Sequence, residues 1–195
     1  MKQYLFFALN LLLALEGTSQ AKGDYMWQIG QNSHPQENPY ALSMVLDFNV
    51  LGINLDTFYR GMKMGYFNAS ISDVDGKLLV YSNGCQIKNG DHSNIPETMS
   101  LSPGETDFEW CLSNPSSGYP KFEGGLFISF FSDSIILLLH QRDYVLSNPT
   151  RIITDSLFYS SVQRDGDQYV LHEKTVPIVG DNLTDGNVEA VKASK

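Results

Sequence analysis

The chain has 195 residues, with 13 Lys and Arg against 22 Asp and Glu, for a formal net charge of −9. That acidity argues against nucleic acid and anionic membrane surfaces as partners, because both reward basic patches. Hydrophobic residues make up 42% of the chain, enough for a packed core, and the charges are scattered rather than gathered into an acidic tail.

Residues 1–21, "MKQYLFFALNLLLALEGTSQA", have the layout of a secretory signal peptide. Lys2 gives a short positive start, residues 5–15 are apolar except for Asn10, and Gly17, Ser19 and Ala21 form a small-residue cleavage site. The run is shorter than the roughly 20 apolar residues of a spanning helix. No later stretch is longer, "SIILLLHQ" at 134–141 included. The expectation is a protein secreted or carried on the cell surface, with one domain over residues 22–195 and no membrane span once the signal is removed.

Past the signal, helical periodicity gives way to short runs of Val, Ile, Phe and Tyr punctuated by Gly, Asn, Asp, Ser and Pro. "YMWQIG" (25–30) and "LSMVLDF" (42–48) read as strands. "LGINLDTFYRGMKM" (51–64) is ambiguous, because Leu51, Leu55, Phe58 and Met62 fall at helical spacing and allow a short helix. "YFNASIS" and "KLLVYSN" flank Asp75-Gly76, a dipeptide suited to a tight turn with positive φ. A second hairpin straddles Ser132-Asp133, between "GGLFISFF" and "SIILLLHQ". A third straddles "RDGD", between "SLFYSSVQ" and "QYVLHEKTV", and "NVEAVK" reads as a last strand. Residues 89–123 carry Pro96, Pro103, Pro115 and Pro120, a loop long enough to be functional or separately pinned. Short strands joined by hairpins predict an all-β sandwich or propeller.

The candidate chemistry is sparse. Asp73, Asp75 and Gly76 are the one candidate metal site, since closely spaced carboxylates on a turn can gather oxygens around calcium. Lys77, Leu78 and Leu79 follow where further ligands are needed, which favours a hairpin tip. Carboxylates two residues apart on a turn also sit badly for glycosidase chemistry. Cys85 and Cys111 form an even pair in an exported chain, which favours a disulfide over free thiols or a zinc site. His34, His92, His140 and His172 show no metal-ligand spacing, although His140 and His172 both follow apolar runs that can place them as neighbours across a sheet. No nucleophile elbow, H-E-x-x-H pair or phosphate-cradling loop occurs, so no catalytic residue and no cofactor is assigned. Trp27, Trp110, Tyr119 and Phe122 lie in or beside loops, where burial against a sheet is the first expectation and a platform for sugars or partners the second.

One ordered set of segments carries a resemblance: "ASISDVDGKLLVYSNGCQI" (69–87), "SLSPGETDFEWC" (100–111), "GYPKFEGGLFISF" (118–130) and "LFYSSVQRDGDQYVLHEK" (157–174). Over residues 42–195 the chain resembles exported β-propeller-like proteins of Bacteroidetes-type bacteria, often tailed by a type IX secretion sorting domain that is absent here. "LSPG" departs from their Asn-Pro-Gly form, and "SFFSDSIILLLHQ" lacks their Tyr-Tyr hairpin. "NVEAVKASK" resembles the opening of a further blade. The resemblance implies a partial propeller of antiparallel blades, the N-terminal portion of a truncated or split protein, at roughly 40–50 residues per blade. Such a portion leaves apolar faces and strand edges to be covered. It further implies a non-enzymatic module for extracellular or cell-surface interaction with a protein or a glycan. The alternative is part of a hydrolase acting on an extracellular polymer.

Overall fold

The computed structural model describes residues 25–30, 43–49, 52–58, 61–113, 118–121, 124–147 and 150–183. The signal segment 1–21, His34, Phe122 and the strand expected at "NVEAVK" lie outside the described residues. The described chain is an all-β fold of antiparallel strands gathered into three sheets.

The first sheet runs β1 (Met26–Gly30), β2 (Ser43–Asp47), β3 (Asn54–Phe58), with Gln28 opposite Val45 and Val45 opposite Asp56. The helix that Leu51, Leu55, Phe58 and Met62 allow is therefore not formed across β3. Leu55 pairs with Leu46 instead, and four of the five β3 residues are exposed. A free β2 edge offers five ladder positions, and satisfying its backbone groups outweighs a weak local period. Met62 turns inward and is fully buried with Met64 and Tyr81.

The second sheet holds β4 (Ala69–Ser72), β5 (Leu78–Ser82) and a three-residue β6 (Ile87–Asn89). Every residue of β5 is buried, as befits a central strand covered on both faces. The third sheet is the largest: β7 (Gly125–Phe130), β8 (Ile135–Ser147), β9 (Thr150–Asp165) and β10 (Gln168–Leu183). All three expected hairpins form, at Asp75-Gly76, at Ser132-Asp133 and at the turn between Asp165 and Gln168. β8 runs on past Gln141, where the apolar run stops. Its charged continuation is matched across the ladder, with Asp143 opposite Thr154 and Arg142 opposite Ser156.

Between β6 and β7 the chain makes one α-helical turn, α1 (Glu105–Asp107), continued by a π-helical turn at Phe108–Leu112. The Cys85–Cys111 disulfide ties that turn to the end of β5, with 5.2 Å between the α-carbons, so the Pro-rich loop is pinned as expected. Leu79, Ile87, Leu101, Phe127, Leu138 and Val162 belong to one continuous core built from the second and third sheets and the pinned loop. Each sheet is a meander in chain order, and β1 packs beside β4, and β4 beside β7. Among the described residues no helix is long and apolar enough to cross a membrane.

Candidate functional site

The first strands of the three sheets frame a cleft of about 420 Å³, lined by Trp27 of β1, Asn68 and Ser70 at β4, and Gly125 and Leu126 of β7. Two side-chain bonds hold β4 to β1: the Ser70 hydroxyl donates to the Met26 carbonyl at 2.8 Å, and the Asn68 amide donates to the Gln28 carbonyl. Gly125 lets β7 approach, since a β-carbon there would stand 2.1 Å from Phe67 Cζ and 2.9 Å from the Leu139 carbonyl oxygen. Trp27, expected to pack away, is instead 50% exposed, with its ring tilted against Phe48 at 5.3 Å between centroids. Tyr119 meets the burial expectation at 2%, and Trp110 is intermediate. An indole, an amide, a hydroxyl and an apolar wall line the cleft, and no titratable group is among the residues lining it.

The titratable groups converge elsewhere, in a buried polar seam on the third sheet. His140 is completely buried between two hydroxyls, with Ser102 Oγ 2.9 Å from Nδ1 and Ser160 Oγ 3.0 Å from Nε2. Burial pushes its pKa down to about 3, so the ring is neutral and the two hydroxyls complement its one N–H and one lone pair. Ser160 Oγ also accepts the Thr175 N–H at 3.0 Å. A serine beside a histidine is a nucleophile-and-base pair on paper. Here no reacting atom can reach it, and the trio works as a staple joining the pinned loop, β8, β9 and β10.

Next along the seam, the Tyr119 hydroxyl accepts the Asp143 N–H at 2.8 Å, and burial pushes that phenol's pKa up. Lys121 Nζ donates to Asp143 Oδ1 at 3.2 Å and to Thr154 Oγ1 at 2.6 Å, while Thr154 donates to the same carboxylate. Arg142 grips Asp155 with two nitrogens, at 2.8 and 2.7 Å, which holds that carboxyl below its ordinary range. Asp107, at the end of α1, is 1% exposed and accepts the Ser100 hydroxyl; burial raises its pKa.

The Asp73–Asp75 stretch is a hairpin tip in geometry as well as in sequence. Asp73 Oδ1 accepts the N–H groups of Asp75 and Lys77, both at 2.9 Å, and the Gly76 N–H bonds the Asp73 carbonyl at 3.0 Å. Asn49 Nδ2 donates to the Gly76 carbonyl at 2.9 Å and fixes the turn to the end of β2. No group of three or more His, Cys, Asp and Glu that could hold a metal ion occurs among the described residues.

His140 and His172 are not neighbours. His140 stands opposite Phe158 on β9, whereas Leu171 stands opposite Val162, so His172 lies nearer the other end of the sheet and on the strand beyond, where it is exposed. His92 rests between Tyr81, whose hydroxyl is 3.0 Å from Nδ1, and the Phe58 ring at 4.2 Å. The Lys121–Asp143–Thr154 cluster escaped sequence reading because its members are 22 and 11 residues apart, with no motif to join them. Comparison with known family models, with curated proteins and with solved structures finds no match.

Proposed function

We propose that this chain is an exported, non-enzymatic interaction module of the β-propeller type, working outside the cell or on its surface, and that the Trp27 cleft is where a glycan or a partner segment is held. The observation that carries the reading is the arrangement of first strands. Each sheet is a chain-order meander, and its first strand lies beside the first strand of the next, as in radially repeated blades around an axis. The cleft opens among those first strands, where a propeller gathers its ligands. The likeness of residues 42–195 to exported propeller-like proteins supports the same reading, and the disulfide is compatible with an oxidising destination.

If the hydrolase alternative took a glycosidase form, it would need two carboxyl groups flanking a cleft, about 5–9.5 Å apart; the residues lining this cleft supply none. The test is a glycan array probed with the purified chain and with Trp27→Ala, beside a panel of polymer substrates. Binding to a defined glycan class that falls at least about tenfold in the variant, without turnover, supports the module, since losing an aromatic platform costs on the order of 1–3 kcal/mol. Turnover abolished by a single Asp or Glu substitution would replace it with the hydrolase.

A further inference from the structure

At one end of the molecule three turns come together: β4–β5, β7–β8 and β9–β10. Arg164 and Tyr169, beside the β9–β10 turn, both feel the charges of Asp133 and Asp73 from the other two turns. The same end exposes large apolar side chains, Phe131 at 78%, Val74 at 70% and Phe130 at 43%. The same turns carry Asp73, Asp75, Asp133, Asp165 and Asp167 against two cations, the exposed Lys77 and Arg164, whose guanidinium is turned onto the Tyr169 ring at 5.4 Å.

The β7–β8 turn that carries Phe131 is held in an unfavourable backbone form. Phe131, Ser132 and Asp133 have φ of 52°, 53° and 63°, three successive left-handed residues without a glycine. Each costs on the order of 1 kcal/mol, and a bulky aromatic is among the least suited to the region. The turn does not relax, because the Tyr169 hydroxyl donates to the Asp133 carbonyl at 2.7 Å and the Arg164 N–H donates to the Ser134 carbonyl at 2.9 Å. Folding alone is better served by Asn-Gly or Asp-Gly with polar flanks. An outward-facing aromatic on a strained turn whose backbone is tied down is instead what a preorganised binding anchor looks like.

We infer that this end is a protein-docking surface that inserts the Phe131 ring into an apolar pocket rimmed by Lys and Arg on a partner protein. The charge selects the partner: the excess of aspartates over Lys77 and Arg164 on these turns repels anionic lipid headgroups and complements a basic rim, which steers approach and fixes register. The surface is separate from the Trp27 cleft, and a failed glycan array leaves it standing.

The experiment places a photo-crosslinking benzoylphenylalanine at position 131 of the full chain in the cells that make it, with the same probe at exposed Asn54 as control. The expected result is an adduct specific to position 131, mapped to an apolar pocket flanked by Lys and Arg on one protein. Binding of that purified protein should weaken at least about 30-fold for Phe131→Ser and lose on-rate as salt rises. Phe131→Gly should weaken binding as much while raising the unfolding midpoint, because glycine relieves the left-handed strain. The inference is overturned by any of three outcomes: adducts no different from those at Asn54, an adduct with lipid alone, or a mapped partner whose affinity ignores both variants.

Discussion

At the scale of single residues, two positions make sharp demands. Gly76 has a φ of 87°, and an added β-carbon would stand 1.7 Å from Asn49 Oδ1, the side chain that fastens the turn to β2. Gly76→Ala must therefore both adopt a left-handed conformation and push Asn49 away. We expect a loss of about 1–3 kcal/mol in urea unfolding; an unchanged midpoint would mean that the turn is not held this way. His140 is the second. Its folded pKa of about 3 lies below the ordinary value of 6.5, so the unfolded chain takes up a proton first as pH falls. The histidine's share of stability is intact above pH 6.5, declines between 6.5 and 3 by up to about 1.4 kcal/mol per pH unit, and levels off below. Urea midpoints between pH 5 and 6.5 should fall more steeply for the native chain than for His140→Asn. Equal slopes would place the ring in contact with water. The turn glycine was legible because Asp-Gly has a conformational meaning of its own. The histidine was not: in "LLLHQ" nothing distinguishes a ring at a strand edge from one sealed between Ser102 and Ser160, which lie 38 and 20 residues away.

At the scale of elements, the staple between Cys85 and Cys111 does what the loop between them cannot. Residues 89–113 contribute few ladder bonds, and their helical turn is only three α-helical residues and a π turn, too short to persist alone. The disulfide, with a sequence separation of 26, removes loop-closure freedom from the unfolded chain. Cys85→Ser with Cys111→Ser should cost about 2–4 kcal/mol in denaturant unfolding. Hydrogen exchange at residues 100–112 should accelerate more than in β8 or β9, and uniform acceleration would mean the loop is no separate unit. The cysteine pairing was legible from the even count and an expected export, and the hairpins from their turns. β3 is ambiguous in sequence because Leu55 and Phe58 carry a helical period, which ladder pairing overrides in the fold. The second half of β8 was missed for the converse reason: Arg142 and Asp143 look like a strand's end until Asp155, Lys121 and Thr154 meet them in space.

At the scale of the whole molecule, the third sheet has two apolar faces and one evident neighbour. Along β8, Ile136 and Leu138 are buried on the core side, while Ile135, Leu137 and Leu139 alternate with them at intermediate burial. Register continues the second face across the sheet, placing Leu126 beside Leu139 and Ile128 beside Leu137. Phe130, Val170 and Val179, at 43%, 42% and 40% exposed, extend the apolar surface toward the margins. A strand apolar on both sides belongs between two layers, and an apolar patch beyond a few hundred Å² on a soluble chain marks a contact surface. The purified chain should therefore bind a hydrophobic dye and self-associate as concentration rises in sedimentation velocity. Leu137→Lys with Leu139→Lys should abolish both while shifting the unfolding free energy by less than about 1 kcal/mol, since neither side chain enters the core. A native chain that stays monomeric and dye-silent would mean this face is finished as it stands, and would remove the strongest physical reason for placing another layer against it.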